Sequence, residues 1–123
     1  MVRYRIGLLL LVAASAVLAW TLPAGAHHST VRATTVTVTA AKPSEFRFTL
    51  SKKTVHHGAV VFKVTNMGAL PHDFKIDGKK TKLLSPGQTQ SLKVTFTKAG
   101  KYPYLCTVTG HAVAGMKGTL TVT

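Results

Sequence analysis

Apolar and polar residues alternate along most of this chain from Val31 onward, and no helix-length window shows a convincing period of 3.6 residues. Alternation with a period of two is typical of strands that bury one face. The positions expected to face a common interior are Val36, Val38, Phe46, Phe48, Leu50, Val60, Phe62, Val64, Phe74, Ile76, Leu92, Val94, Phe96, Tyr102, Tyr104, Leu120 and Val122. The pattern predicts an all-β domain of about seven or eight short strands.

Turn-forming residues separate the apolar runs. They are Gly58, Asn66-Met67-Gly68, Asp77-Gly78, Ser85-Pro86-Gly87 and Ala99-Gly100. Strands spaced this closely favour a two-sheet antiparallel β-sandwich with Greek-key connections. With 123 residues, the chain has room for one domain and is too short to enclose a second core.

The N-terminal segment differs from the rest of the sequence. Arg3 and Arg5 precede an apolar run from Ile6 to Trp20, and Pro23-Ala24-Gly25-Ala26 follows shortly after it. This is the pattern of a secretory signal peptide, and the run falls short of the roughly 20 apolar residues of a transmembrane helix. The sequence therefore predicts export to the periplasm or to another space outside the cytoplasm.

The signal peptide gives the expected domain boundaries. We expect residues 1–26 to be cleaved, and an uncleaved N-terminal anchor is the alternative. Residues 27–35 are polar and are expected to form a flexible lead-in. Residues 36–123 are then expected to form the folded domain.

The charge is strongly positive. The chain has sixteen lysines and arginines but only three acidic residues, Glu45, Asp73 and Asp77, and the formal net charge is +13. Such a surface favours an acidic protein partner, with weak association with an anionic membrane surface as a further expectation. Nucleic acid is a common partner of basic proteins, but export, scattered lysines and the absence of a nucleic-acid-binding motif argue against it. We expect a monomer.

Cys106 is the only cysteine, so it cannot form a disulfide within the chain. Exported proteins often use disulfides, and a single thiol in an oxidising compartment needs an explanation. Three explanations are open at this point. The thiol is buried, it links two chains, or it binds a metal.

Ligand types that suit copper occur in two places. His72 lies in one segment, and Cys106, His111 and Met116 lie in a C-terminal run with four residues between successive members. A cysteine, two histidines and a weak axial methionine form the ligand set of a blue-copper site. A single loop that carries three of these residues can bring them to one point.

The alternation of the neighbouring strands gives the expected direction of two of these side chains. His72 has the same parity as Phe74 and Ile76, and Cys106 has the same parity as Tyr104. Both side chains should therefore point into the sandwich at the same end.

Each of these residues also has an ordinary structural explanation. A lone cysteine is often a small buried hydrophobe, a methionine often fills a core, and a single histidine often lies at the surface. Their combination with glycines placed for tight turns at Gly110, Gly115 and Gly118 favours a metal site. A cysteine hydrolase would need an activating environment that a strand end lacks, and zinc would not explain Met116.

The stretch from Asn66 to Thr123 resembles the second half of a cupredoxin, the family of plastocyanin, azurin and pseudoazurin, whereas Val31 to Thr65 matches only in its strand pattern. The motifs that carry the resemblance are Gly100-x-Tyr102-x-Tyr104-x-Cys106, Gly110-His111 and Gly115-Met116-Lys117-Gly118. The gap between Cys106 and His111 is like that in azurin.

The resemblance implies a ligand set and its support. One type 1 copper ion would be bound by His72, Cys106, His111 and Met116. The backbone N–H of Asp73 would donate to the Cys106 sulfur, and the Asp73 side chain would tie its loop to Thr107. Asp73 stands where many members of the family have asparagine.

The resemblance also implies a function. We expect a one-electron carrier that cycles between Cu(II) and Cu(I), and not an enzyme, because the sequence has no second cluster of copper ligands. The alternative is an exported copper-binding protein for storage, delivery or resistance. A redox partner is expected to dock on small apolar residues at the site, namely Leu70, Pro71, His111, Ala112, Val113 and Ala114.

Four further histidines carry less weight. His27 and His28 would open the exported chain, where they could bind copper weakly together with the free amine. His56 and His57 precede a turn glycine and are expected to be solvated.

Overall fold

The computed structural model describes Gly25 and residues 32–123. Within these residues the chain forms nine strands and no helix, so the expected all-β class is confirmed. The strands are β1 (Thr34–Ala40), β2 (Phe48–Leu50), β3 (Thr54–Val55), β4 (Gly58–Asn66), β5 (Lys75–Ile76), β6 (Lys79–Lys80), β7 (Thr89–Phe96), β8 (Gly100–Leu105) and β9 (Lys117–Val122). In the part of the chain that the structure describes, no helix could cross a membrane.

Some of the N-terminal expectations fall outside this range. The expected signal peptide, apart from Gly25, and the histidines His27 and His28 lie outside the described residues. Strand β1 begins at Thr34, two residues before the expected start of the domain. The last two residues of the expected lead-in therefore belong to a sheet.

The strands form two sheets, with the order β2-β1-β4-β7 in the first and β3-β9-β8-β5-β6 in the second. Most neighbours are antiparallel, as expected, but β1 pairs with β4 in parallel and β3 pairs with β9 in parallel. Between β2 and β4 the chain leaves the first sheet to form β3. It then returns on the other side of β1 and runs in the same direction. The two-sheet prediction is confirmed, and the sheets are mixed rather than purely antiparallel.

The core forms from the alternating positions of both sheets. Val36 and Val38 of β1, Phe62 of β4 and Leu120 of β9 have no exposed surface. The ring of Phe62 lies 5.4 Å from that of Phe74 and 6.3 Å from that of Phe96, measured between centroids. Burial of this apolar surface is the main force that holds the two sheets together.

Phe46 departs from the predicted pattern. The alternation places it in a strand with Phe48 and Leu50, but β2 begins only at Phe48. The backbone N–H of Ala41 donates to the Arg47 carbonyl at 2.8 Å, so the chain forms a closed loop between β1 and β2. Phe46 is therefore a loop residue, and its ring is half-buried.

Turn chemistry fixes the β5–β6 hairpin. Its two central residues, Asp77 and Gly78, both have positive φ, at 48° and 72°. Two consecutive residues of this kind are typical of a type I′ turn, whose twist matches that of paired strands. The turn expected from the Asp-Gly pair is confirmed.

Several loops meet at one end of the sandwich. Ala40 at the end of β1 is paired with Asn66 at the end of β4. In the second sheet, at this same end of the sandwich, Cys106 directly follows β8 and Met116 directly precedes β9. This end brings together the loops that carry the predicted ligands.

Candidate metal centre

Three predicted ligands meet at this end of the sandwich. One donor atom from each of His72, Cys106 and His111 lies within 4.8 Å of the other two. The two histidine Nδ1 atoms are 3.1 Å apart, and the Cys106 Sγ lies 3.6 Å from the Nδ1 of His111. The exposed fractions of these residues are 0%, 1% and 9% in the same order. A buried sulfur and two imidazole nitrogens therefore face one another.

His72 is held by main-chain pairing outside the regular strands. Its N–H donates to the Leu84 carbonyl at 3.1 Å, and the Leu84 N–H donates to the His72 carbonyl at 2.8 Å. The buried amide of Asn66 supports both sides of this bridge, because its Nδ2 donates to the carbonyls of Leu70 and Leu84, each at 2.8 Å. The sequence predicted Asn66 as a turn residue, whereas the structure places it at the end of β4 and gives its amide this supporting role.

The loop from Cys106 to Met116 closes on itself. The Cys106 N–H donates to the Met116 carbonyl at 3.0 Å, and the Met116 N–H donates to the His111 carbonyl at 2.9 Å. The Met116 side chain has no exposed surface and packs in one apolar cluster with Cys106 and Ala40. All four expected ligands thus lie at the same end of the sandwich, and donor atoms of three of them, His72, Cys106 and His111, lie close together.

Asp73 ties the two ligand-bearing segments together. Its carboxylate accepts a hydrogen bond from the Thr107 N–H at 2.6 Å and another from the Thr107 hydroxyl. The Lys80 ammonium lies 3.5 Å from the same carboxylate. Burial raises the pKa of the Cys106 thiol, and the backbone N–H groups of Asp73 and Val108 act against this shift.

Three consecutive residues of the β1–β2 loop contact the site, and the sequence indicated a role there for none of them. The Glu45 carboxylate lies 2.8 Å from the Nε2 of His72. The Phe46 ring meets the His111 ring edge to face, with 5.0 Å between centroids. The Arg47 guanidinium donates to the Ala114 carbonyl at 3.2 Å. The only signal for Glu45 in the sequence was its rarity as an acidic residue in a basic chain.

Burial and charge shape the protonation of the site. Burial raises the pKa of the Cys106 thiol, and burial together with the nearby His72 lowers the pKa of His111. Hydrogen bonds from the N–H groups of Ala69 and Leu70, followed by the one from His72, lower the pKa of Glu45 to about 2. Burial thus disfavours the thiolate form of Cys106.

The donor set fits a copper ion. A metal cation would place a positive charge beside the sulfur and hold it as a thiolate, with the release of a proton. The separations of 3.1 and 3.6 Å can each be spanned by two metal–ligand bonds of about 2 Å. One thiolate with two imidazoles and a nearby thioether is the donor set of blue copper rather than of structural zinc.

Comparison with known proteins supports this assignment. The sequence model of the copper-binding proteins of the plastocyanin/azurin family matches residues 23–123. The chain belongs to this family. The resemblance to cupredoxins is therefore confirmed, and so is copper as the expected cofactor.

Individual cupredoxins match shorter parts of the chain. Auracyanin-B from Chloroflexus aurantiacus is 49% identical over 43 residues, which are 35% of this chain and 18% of the relative. The copper-resistant cuproprotein CopI from Pseudomonas aeruginosa is 44% identical over 48 residues, which are 39% of this chain and 26% of the relative. The matches thus span about a quarter or less of these two relatives.

The three-dimensional comparison covers more of the domain. The solved structure of auracyanin B superposes with a TM-score of 0.62 and 26% identity, and the match covers 74% of this chain and 89% of that one. The arrangement of two sheets is therefore that of a cupredoxin.

Proposed function

We propose that this cupredoxin is a one-electron carrier whose single copper ion is bound by His72, Cys106 and His111, with Met116 as the fourth ligand. The observation that carries the proposal is the meeting of one buried thiol and two imidazoles from separate segments at one end of the sandwich. Copper bound there supplies the redox chemistry by alternating between Cu(II) and Cu(I).

The protein's contribution is rigidity. The bridge between His72 and Leu84 and the hydrogen bonds that close the Cys106–Met116 loop hold the ligands from the main chain. A site held in this way changes little when its charge changes by one unit. A small rearrangement favours fast electron transfer. A delivery protein would instead need ligands that exchange, and a rigid site disfavours that exchange.

The surface over His111 supports docking of a redox partner. Leu70 is 42% exposed and Val113 is 91% exposed, whereas His111 of the expected docking surface is only 9% exposed. We call Leu70, Pro71, Ala112, Val113 and Ala114 the apolar patch. Exposed apolar patches often mark interaction sites. We propose that this patch receives an acidic partner, which the net positive charge of the chain attracts.

Two hollows in the surface of the domain lie away from the predicted copper ligands. Two hollows, of about 320 and 440 Å³, lie on the second sheet, and Pro103 and Leu105 line both. Neither hollow is lined by His72, Cys106, His111 or Met116. We therefore propose no part for these two hollows in the chemistry of the copper site.

The alternative function is copper storage, delivery or resistance outside the cytoplasm. It is favoured by the match to a relative that is named a copper-resistant cuproprotein. The site itself favours the carrier, because it has one buried cysteine rather than several sulfur ligands open to exchange. Export remains a prediction from the N-terminal sequence.

Cyclic voltammetry of the copper-loaded protein tests the carrier proposal. We expect a reversible one-electron couple, with visible absorption that disappears on reduction and returns fully on oxidation over repeated cycles. Exogenous Cu(I) chelators should remove little copper during those cycles. Irreversible oxidation, or loss of the metal on each reduction, would instead support storage or delivery.

The salt dependence of electron exchange tests the electrostatic part of the proposal. The rate of oxidation of the reduced protein by anionic hexacyanoferrate(III) should fall as salt is added, because salt screens the attraction to the basic surface. With a cationic cobalt(III) complex the rate should rise. A salt-independent rate with both oxidants would contradict the electrostatic argument.

A pair of variants locates the docking position. Val113→Glu places a negative charge in the apolar patch, and Thr95→Glu places the same charge on β7, near the opposite end of the sandwich. The first variant should slow oxidation by hexacyanoferrate(III) by about threefold or more, and the second should slow it less. Equal effects would show that electrons do not leave through the patch.

A further inference from the structure

Glu45 makes contacts that the ligand set alone does not explain. Its carboxylate accepts hydrogen bonds from the N–H groups of Ala69 and Leu70, at 3.1 and 2.9 Å, and lies 2.8 Å from the Nε2 of His72. His72 is fully buried, whereas 29% of the Glu45 side chain is exposed. One carboxylate therefore joins the β1–β2 loop, the segment before His72 and the His72 ring.

The backbone at Gly68 leaves space for the Glu45 carboxylate. A Cβ atom at Gly68 would overlap the Glu45 carboxylate and the Ala41 side chain. The Gly68 N–H donates to the side-chain oxygen of Asn66 at 2.9 Å, which fixes the segment in this position. The close approach of the backbone to Glu45 thus requires glycine at position 68 for reasons of space.

The contact with Glu45 defines which nitrogen of His72 is free. An ionised carboxylate only accepts hydrogen bonds, so the Nε2 of His72 carries the hydrogen and donates a hydrogen bond to Glu45. In the neutral ring the Nδ1 then presents a lone pair. That Nδ1 is the atom that faces the Nδ1 of His111.

We propose that Glu45 is a positioning residue for copper, which fixes the tautomer and orientation of the His72 ring so that its Nδ1 lone pair points at the metal. The inference rests on the proposed function. Carboxylates that accept the second N–H of a metal-binding histidine fix the ring and raise its basicity as a ligand. A fixed negative charge close to the metal also favours the more positive oxidation state, so Glu45 lowers the reduction potential.

The neighbouring side chains extend the same support to the other histidine. The Phe46 ring packs against His111, and the Arg47 guanidinium holds the carbonyl of Ala114 in the ligand loop. Gly115 leaves space for this guanidinium, because a Cβ atom there would overlap it. The β1–β2 loop thus contacts both segments that carry ligands, and within that loop Glu45 is the residue that reaches a ligand nitrogen through a hydrogen bond.

The first test measures the tautomer of His72 in the metal-free, full-length protein by long-range ¹H–¹⁵N correlation spectra of the imidazole rings. The wild-type ring should be a single tautomer with hydrogen on Nε2. Glu45→Ala removes the acceptor and should give a mixture of tautomers. Glu45→Gln keeps the size of the side chain and provides a second variant if Glu45→Ala does not fold, which backbone amide spectra will show.

The second test measures copper binding and the reduction potential. Loss of a partner of this kind typically weakens metal binding by about 10- to 100-fold, and we expect an effect of this size for Glu45→Ala. The potential of both Glu45 variants should rise. Asp77→Asn is the matched control, because it removes the same charge from an exposed turn away from the site and should leave both quantities unchanged.

The outcomes separate this inference from the proposed function. If the wild-type protein is blue but Glu45→Ala keeps a single Nε2–H tautomer, wild-type copper affinity and wild-type potential, the positioning role is wrong and the carrier proposal stands. If the wild-type protein shows no absorption from a copper–thiolate bond, the proposed function fails, and the copper role of Glu45 fails with it.

Discussion

The Cys106→Ser variant should lose the intense visible absorption of the copper-loaded protein. That absorption requires a bond between copper and a thiolate, and Cys106 is the only cysteine in the chain. Serine has nearly the same shape but remains a neutral hydroxyl, so the affinity for Cu(II) should fall. Loss of a residue that hydrogen-bonds to a metal ligand costs about 10- to 100-fold in affinity, and loss of the ligand itself should cost at least about 100-fold. Visible and electron paramagnetic resonance spectra of matched Cu(II) titrations measure both effects.

A conservative change in the same loop is the control for this prediction. Thr109→Ser removes one methyl group from an exposed side chain between Cys106 and His111. This variant should keep the full absorption. If Cys106→Ser kept it as well, the thiolate would not be a copper ligand.

The Phe62→Ala variant should lose about 3–5 kcal/mol of the free energy of unfolding. The Phe62 side chain has no exposed surface and packs against Phe74 and Phe96, one from each side of the sandwich core. Truncation removes buried apolar surface and leaves a cavity that the two sheets cannot fully close. Native domains typically have about 5–15 kcal/mol of stability, so a loss of this size is a large fraction of the total.

Denaturant unfolding of the metal-free protein measures this effect without a contribution from bound copper. Leu83→Ala is the control, because it removes a large apolar side chain that is 55% exposed. Its effect should stay within about 0.5 kcal/mol. Similar losses for the two variants would contradict the position of Phe62 at the centre of the core.

The alternation of the sequence predicted most of the core, because burial on one face of a strand leaves a period of two in the sequence itself. It was incomplete, since Leu92 and Tyr102 are only partly buried and the core residues Val55 and Leu84 were not predicted. Val36 and Val38, Phe62 and Val64 are buried as predicted. The direction of pairing could not be predicted in the same way. The parallel contact between β1 and β4 depends on where the chain changes sheets, and alternation within a strand carries no information about that.

The metal centre was more predictable than its surroundings. Copper ligands have distinctive chemistry and lie close together in sequence, so the run from Cys106 to Met116 indicated a site before any fold was known. Glu45, by contrast, is 27 residues away from His72. A glutamate is an ordinary surface residue, and only the closing of the β1–β2 loop brings it to a ligand.

X-ray absorption spectroscopy at the copper edge tests the central claim most directly. For the copper-loaded wild-type protein we predict one short copper–sulfur bond and two copper–nitrogen bonds with the scattering signature of imidazole rings, at one copper per chain. A first coordination sphere made only of nitrogen and oxygen, or one with several short copper–sulfur bonds, would contradict the site formed by His72, Cys106 and His111.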